Sequence, residues 1–327
     1  MEPLLQVKDL RVRFRSDFGD RVVTDDISFR VDPGETLGIV GESGCGKSVT
    51  SLAVMGLLAR NGSVERGEVL FRGRDLLKLS PKELDRVRGK EIAMVFQDAL
   101  ASLNPVFTVG NQLTEAILAH GETDRRAARE RARTMLEKAG LPDAAAVMRK
   151  YPSQLSGGMR QRAMIAMALS CSPSLLIADE PTTALDVTIQ AQIMDSIRAL
   201  RRELGMAMIL ITHDIGLVAQ MADRVLVMYA GQIVEEADVF KLFAHPAHPY
   251  TRALLDSVPG VDDGQERILS AIGGTVPEDY SAISGCRFRD RCPYAGRGCD
   301  KPQKMEPVGP GHRARCCRTG WAEGGEI

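Results

Sequence analysis

The chain has 327 residues, 44% hydrophobic and 26% charged, the balance of a globular protein with room for one large or two ordinary domains. A net charge of −1 gives no global reason to expect nucleic acid or an anionic membrane surface as a partner. No apolar run is long enough to span a bilayer, and Met1-Glu-Pro-Leu-Leu-Gln-Val-Lys-Asp lacks the basic and apolar regions of a signal peptide, so a cytoplasmic location is expected.

Residues 4–14 alternate apolar and polar through Leu5, Val7, Leu10, Val12 and Phe14, as a half-buried strand does. After a turn around Asp17 to Asp20, a second alternating run reaches Val31 and is closed by Pro33-Gly34. Two strands this early predict a small antiparallel sheet beside a parallel core. Phe14 can stack on a purine ring or fill a core position; spacing leaves both open.

The apolar run Thr36 to Val40 leads into Gly41-Glu42-Ser43-Gly44-Cys45-Gly46-Lys47-Ser48, and helical spacing resumes from Val49 to Leu58. Strand, glycine-rich turn and helix N-terminus in that order make a phosphate cradle. The glycines let backbone N–H groups close around oxygens, Lys47 supplies a point charge, and the Ser48 hydroxyl can ligate Mg²⁺. The helix dipole adds attraction for anions. A chance Gly-Lys-Ser in a tight turn would not match every fixed position and both flanks. A nucleoside triphosphate is the expected ligand.

Gly67 to Phe71 reads as the next strand, and Ile92 to Phe96 as a buried parallel strand. The latter ends on Gln97, at the strand terminus where α/β sheets place ligands. From Ala101 to about Ser170 the pattern is helical. Glu122 to Ala139 carries Ala128, Ala132, Met135, Leu136 and Ala139 on one stripe, with its arginines on a solvated face and Gly140 as the stop. Gln154-Leu-Ser-Gly-Gly-Met-Arg-Gln-Arg162 opens another apolar helix, with Ser156-Gly157-Gly158 as a second candidate anion site. Leu175 to Ala178 is a buried strand ending in Asp179-Glu180, whose carboxylates point to opposite sides of the chain; one can face a metal while the other faces an attacking water. Asp186 follows. Met208 to Ile211 is a further strand capped by Thr212-His213-Asp214, and Arg224 to Tyr229 with Gln232 to Glu235 forms a strand pair joined by Ala230-Gly231. Beyond Glu236 prolines thicken and periodicity fades, which predicts a second, loop-rich module.

With Gln97, Leu155-Ser-Gly-Gly-Met159, Asp179-Glu180, Asp186 and His213 in order behind the phosphate loop, residues 4–235 resemble the ATPase subunits of ABC transporters. The resemblance implies an α/β P-loop core (residues 1–235) with an antiparallel β subdomain and a helical subdomain from about 98 to 170, followed by a small module over 236–327. It implies ATP and Mg²⁺. Phe14 would stack on adenine, and Gly41 to Val49 (Gly41, Glu42, Ser43, Gly44, Cys45, Gly46, Lys47, Ser48 and Val49) would hold the phosphates, with Lys47 on the β- and γ-phosphates. Ser48, Gln97 and Asp179 would arrange Mg²⁺ and its waters; Glu180 would be the general base and His213 would contact the γ-phosphate. Ser156, Gly157 and Gly158 would reach the nucleotide of an opposed ATPase subunit, with Asp186 at the seam. A signature loop remote from its own phosphate loop can serve a γ-phosphate only in a head-to-tail dimer. Met159 stands where the widest family pattern has Gln, and the peptide-importer branch shares it.

The stretch His245-Pro-Ala-His-Pro-Tyr-Thr-Arg-Ala-Leu-Leu255 resembles the segment behind the ATPase core of oligopeptide, dipeptide and nickel importers. His245 and His248, among prolines, are expected to form turns and not to ligate metal. Of the seven cysteines five lie beyond residue 285. Cys286, Cys292, Cys299 and Cys316 are separated by five, six and sixteen residues. Zinc favours closer pairs, a reducing compartment disfavours disulfides, and four thiolates can hold a [4Fe–4S] cluster; spacing alone leaves zinc, cluster and no metal open. The same cysteines in relatives of the peptide-importer branch imply the cluster, in a structural role, with zinc as the alternative. Arg287, Arg289, Arg291, Arg297, Lys301, Lys304, Arg313, Arg315 and Arg318 would offset its negative charge. Cys317 reads as a spare, Cys45 as a small loop residue and Cys171 as helix-end packing. The whole resembles the dipeptide branch, which implies ATP-driven uptake of dipeptides or short oligopeptides, with nickel or glutathione import as alternative. The implied partners are a second, different ATPase subunit, two membrane-spanning permease subunits and, indirectly, an extracytoplasmic substrate-binding protein, placing the chain at the cytoplasmic face of the membrane. The fused double core or long coiled coil of non-transport ABC ATPases is missing.

Overall fold

The computed structural model describes residues 2–17, 19–98, 102–121, 124–183, 186–257, 272–277, 279–280 and 282–319. They form two compact units, one from Met1–Val31, Thr36–Leu77 and Leu210–Ile327, the other from Asp32–Glu35 and Lys78–Ile209.

The first unit begins with β1 (Leu5–Phe14) and β2 (Arg21–Val31), which pair antiparallel. The apolar positions of β1 run 5, 7, 10, 12, one residue out of strict alternation. The extra residue is absorbed by a bulge between Val7 and Leu10, where Asp9 takes φ +48° and its N–H donates to Ser28 Oγ at 2.9 Å. All four apolar side chains are therefore buried. β3 (Thr36–Val40) is buried along its length, and the helix Lys47–Val54 follows it. β4 (Gly62–Phe71) covers the other side of β1 and bends back into β5 (Arg74–Asp75), giving the sheet β2-β1-β4-β5. β4 starts five residues before its expected apolar start at Gly67, because pairing with β1 and the Glu65 ion pairs to Arg11 and Arg13 hold its polar half.

In the second unit, β6 (Ile92–Val95) pairs parallel with β7 (Leu175–Asp179). Between them lie the helices Val109–Ala119, Arg125–Lys138 and Gly157–Leu169. Arg125–Lys138 buries Ala128, Ala132, Met135 and Leu136 and shows the ladder Glu130–Arg133–Glu137 to solvent. It starts after Asp124, whose carboxylate accepts from the N–H groups of Arg126 and Ala127. After the helix Val187–Leu204 the chain enters β8 (Ala207–Thr212), which begins beside β7 and returns to the first unit.

There β9 (Arg224–Tyr229) pairs parallel with β3 and antiparallel with β10 (Gln232–Asp238), the turn being Ala230 at φ +44° and Gly231 at φ +77°. The loop-rich segment belongs to this same compact unit. After the helices Val239–Ala244 and Pro249–Asp256 it supplies β11 (Glu306–Gly309) and β12 (His312–Ala314), and β12 adds to the free edge of β10. A core of Tyr229, Tyr250 and Phe288, with ring centroids 4.6, 5.2 and 5.3 Å apart, ties the segment to β9. Each such ring contributes roughly 1.5–3 kcal/mol through burial. Among the described residues no helix is long and apolar enough to cross a membrane.

Candidate functional site: a phosphate loop and its surroundings

The loop between β3 and the helix Lys47–Val54 is shaped by close approach. A Cβ on Gly41 would stand 2.1 Å from Met228 O, and Gly46 combines φ +100° with a site where a Cβ would lie 2.9 Å from Thr24 Cγ2. Only glycine fits either position. Lys47 is buried and reaches back across the loop, its ammonium donating to Gly41 O at 2.8 Å and Glu42 O at 3.0 Å. Cys45 is fully buried with its sulfur 3.9 Å from Lys47 Nζ; burial pushes its thiol up, so it packs and is no nucleophile. Thr50 locks the helix start through its N–H and Oγ1, both donating to Gly46 O. A glycine-shaped, cation-bearing loop at a helix N-terminus fits a triphosphate and its Mg²⁺.

The same unit holds Phe14 and His213. The Phe14 ring is half-buried on Gly62, with a ring carbon 2.8 Å from where a Cβ of residue 62 would stand. His213 is exposed just past β8; its neighbour Asp214 donates its N–H to Thr212 Oγ1 at 3.0 Å and caps the helix Ile215–Met221.

The second unit gathers the remaining candidates. Asp179, the last residue of β7, is 5% exposed, and Glu180 turns the chain with φ +46°. A non-glycine residue in that region costs about 1–2 kcal/mol, which the flanking contacts hold in place. Glu180 Oε2 accepts from Gln97 Nε2 at 2.9 Å and from Thr183 Oγ1 at 2.8 Å. Gln97 and Glu180 thus meet, and Thr183 is a partner that spacing does not flag. Ser156 caps the helix Gly157–Leu169 by accepting from Met159 N–H at 3.4 Å. Gly158 has a packing reason of its own, since a Cβ there would stand 2.9 Å from Ile189 Cγ2 of the next helix. Asp186 caps that helix, accepting from Ile189 N–H at 2.9 Å. Gln161 donates to Pro181 O, fixing the chain behind Glu180.

The cysteine-bearing segment departs from expectation twice. Cys286, Cys292, Cys316 and Cys317 have thiols raised first by burial and then by neighbouring thiols. Burial takes Cys286 to about 11 and Cys316 to about 12. Yet among the described residues no group of three or more His, Cys, Asp or Glu is set to hold a metal ion. A sulfur–sulfur contact of 4.0 Å joins Cys299 to Cys317, the cysteine expected to be a spare. The second departure concerns the arginines expected to offset cluster charge. The charge of Arg318 does act to lower the thiols of Cys292 and Cys317. Arg287 instead pairs with Asp25 at 3.0 Å, Arg315 with Asp26 at 2.9 Å, and Arg291 with Glu42 of the phosphate loop at 2.6 Å.

His248 is wholly buried and caps the helix Pro249–Asp256, its Nδ1 accepting from Tyr250 N–H at 3.1 Å; burial holds its imidazole down to about 4. Glu235, also wholly buried, accepts from the N–H groups of Ala247 and His248 and from His312 Nε2, each at 2.7 Å. Neither role is visible in spacing.

Comparison with known proteins adds the following. Residues 24–183 match the family model described as ABC transporter, and residues 234–299 match the oligopeptide/dipeptide transporter C-terminal region. A probable peptide ABC transporter ATP-binding protein of Sinorhizobium fredii is 51% identical over 321 residues, covering 97% of this chain and 95% of its own. A putative peptide import ATP-binding protein of Brucella abortus is 49% identical over 314 residues, covering 96% and 94%. Among solved structures, an ATP-binding cassette in a dimeric post-hydrolysis state with ADP and Pi superposes with TM-score 0.65 at 27% identity, over 72% of this chain and 98% of that one. An ABC transporter component from Clostridium perfringens gives TM-score 0.64 at 27% identity, over 75% and 92%.

Proposed function

The chain belongs to the ABC transporter family of ATP-hydrolysing subunits, and on that premise we propose that it drives uptake of dipeptides or short oligopeptides through separate membrane-spanning permeases. The observation that carries the substrate class is the match of residues 234–299 to the oligopeptide/dipeptide C-terminal region, together with relatives named for peptide import along nearly the full chain. The chain would sit at the cytoplasmic face of the membrane, closed head to tail on a second, different ATPase subunit, with a substrate-binding protein feeding the permeases. The dimeric state of the similar cassette supports the paired arrangement.

The roles proposed for its residues are those that family membership suggests. Gly41 to Val49 hold the phosphates, with the Lys47 ammonium already directed into the loop. Ser48, Gln97 and Asp179 would hold Mg²⁺, which when bound neutralises phosphate charge. Glu180 takes the proton of the hydrolytic water, steered by Gln97 and Thr183. His213 contacts the γ-phosphate and Phe14 stacks on adenine. Ser156, Gly157, Gly158 and Asp186 serve the nucleotide of the opposed subunit. The cysteine-rich segment, which carries Cys286, Cys292, Cys299 and Cys316, is proposed to take a [4Fe–4S] cluster in a structural role.

The test is uptake of labelled dipeptide, longer peptide and nickel by cells lacking this gene, complemented with the wild type or Glu180→Gln. Dipeptide uptake restored by the wild type alone, with hydrolysis by the variant down roughly 10²–10⁴-fold, is the expected outcome. Near-normal hydrolysis by Glu180→Gln would sink its assignment as base. Intact peptide uptake with lost nickel uptake would move the chain to the metal branch.

A further inference from the structure

Glu42 puts a carboxylate inside a loop shaped to receive phosphates, and an unpaired negative charge there would oppose the ligand. The structure pairs it from the far end of the chain. Arg291, in the short turn Arg289–Arg291 next to Cys292, grips both carboxylate oxygens, Nη1 to Oε2 at 2.6 Å and Nη2 to Oε1 at 2.9 Å. Its side chain is 7% exposed and fully engaged. Nε donates to Gly273 O at 2.7 Å, and Nη2 also reaches Ile272 O at 3.3 Å. Tyr229 contributes its hydroxyl at 3.4 Å, and the Tyr229 and Phe288 rings lie 5.7 and 6.0 Å from the guanidinium. The backbone of Glu42 is held too: its N–H donates to the buried Tyr250 hydroxyl at 2.9 Å. One residue of the phosphate loop is therefore fixed at side chain and main chain by the C-terminal segment.

We propose that Arg291 and Tyr250 are positioning residues for ATP binding: Arg291 neutralises Glu42 and holds its carboxylate aside, and Tyr250 fixes the direction of the loop's second peptide. The proposal rests on the reading of Gly41 to Val49 as the ATP site. A loop set before the ligand arrives spends less binding free energy on ordering. The C-terminal segment thereby sets ATP affinity without touching the nucleotide. A purely architectural ion pair would hold the module in place but leave affinity indifferent to the charge left on residue 42, and this is the distinction to measure.

The experiment measures ATP affinity of the full chain by calorimetry, and KM and kcat in the assembled transporter, for Arg291→Gln, Arg291→Lys and Arg291→Gln/Glu42→Gln. Arg291→Gln leaves the carboxylate unpaired and is expected to weaken ATP binding about tenfold, that is about 1.4 kcal/mol, with KM rising in step, kcat moving less than about twofold, and the deficit shrinking at high salt as exposed charge is screened. Arg291→Lys keeps the charge and loses the fork, so it should stay within about threefold. Removing the Glu42 charge in the double variant should bring affinity back to within about threefold of wild type. The proposal is overturned if Arg291→Gln binds ATP as wild type does, if Lys and Gln weaken binding equally, or if the double variant is as weak as the single. Where Arg291→Gln does not fold, the lysine and double variants decide: near-wild-type affinity in both upholds the clamp, and a loss in both overturns it. Loss of ATP binding in every chain including the wild type would overturn the loop assignment itself.

Discussion

Replacing Glu235 by alanine should release the C-terminal segment while leaving the rest of its unit folded. Glu235 has no exposure and accepts three hydrogen bonds at 2.7 Å, from Ala247 N–H, His248 N–H and His312 Nε2. Hydrogen bonds to a charged group contribute about 1.5–3 kcal/mol each, and stranding buried partners by removing one ion costs about 3–5 kcal/mol. The lower total is taken because water can enter once the carboxylate is gone. The opening free energy of the stretch around residues 247 and 248 should then fall by about 3–5 kcal/mol, a roughly 10²–10⁴-fold faster local exchange. The assay is amide hydrogen exchange of the full chain, read at Ala247, His248 and the β10–β12 pair against the amides of β3. Protection at Ala247 and His248 that survives the substitution would refute the reasoning. So would equal loss of protection in β3, which would mean that the carboxylate supports the whole unit and not one segment.

Two further outcomes can be checked. His248 is held neutral, its imidazole near 4 against about 6.5 when unfolded; a lowered base is protonated first in the unfolded chain, so stability should be lost as pH falls from about 6.5 towards 4, by up to about 3 kcal/mol. Denaturant midpoints measured across that range should flatten in His248→Asn, which keeps a cap acceptor without the titration. Anaerobically purified protein assayed for iron, sulfide and zinc should contain about four irons and four sulfides per chain; stoichiometric zinc without iron would replace the cluster, and neither would leave the thiols as a packed hydrophobic group.

Much of the ATPase fold was legible because its signals are local. The alternation of Leu5, Val7, Leu10 and Val12, the buried runs at Ile92, Leu175 and Met208, and the glycine positions of the phosphate loop each depend on neighbours a few residues away. The bulge at Asp9 shows the limit, since the shifted phase of Leu10 is explained only by the partner Ser28. Thr183 is a second case; its hydroxyl meets Glu180 because the chain turns at a positive φ that no residue type announces. The segment beyond Glu236 was read least well. Its organising contacts span the chain, from Tyr280 to Val23 and from Arg315 to Asp26, and no periodicity encodes a contact across more than 250 positions.

The misread arginines show what composition conceals. Clustered cations beside cysteines suggest charge balance for a metal cluster, and the count is the same whichever way the side chains point. Burial decides it. Arg287, Arg291 and Arg315 have side chains 6%, 7% and 6% exposed, and a guanidinium so buried is tolerated only with its donors satisfied. Backbone carbonyls take part of each fork, Ala230 for Arg287, Gly273 for Arg291 and Ile233 for Arg315. The remaining donors find Asp25, Glu42 and Asp26, all in the N-terminal part of the same unit. Since Arg287 follows Cys286, Arg291 precedes Cys292 and Arg315 precedes Cys316, a rearrangement of those thiols would move residues that hold the strand β2 and the phosphate loop. A change at the cysteines should therefore register first as a change in ATP affinity, before any effect on the hydrolytic step.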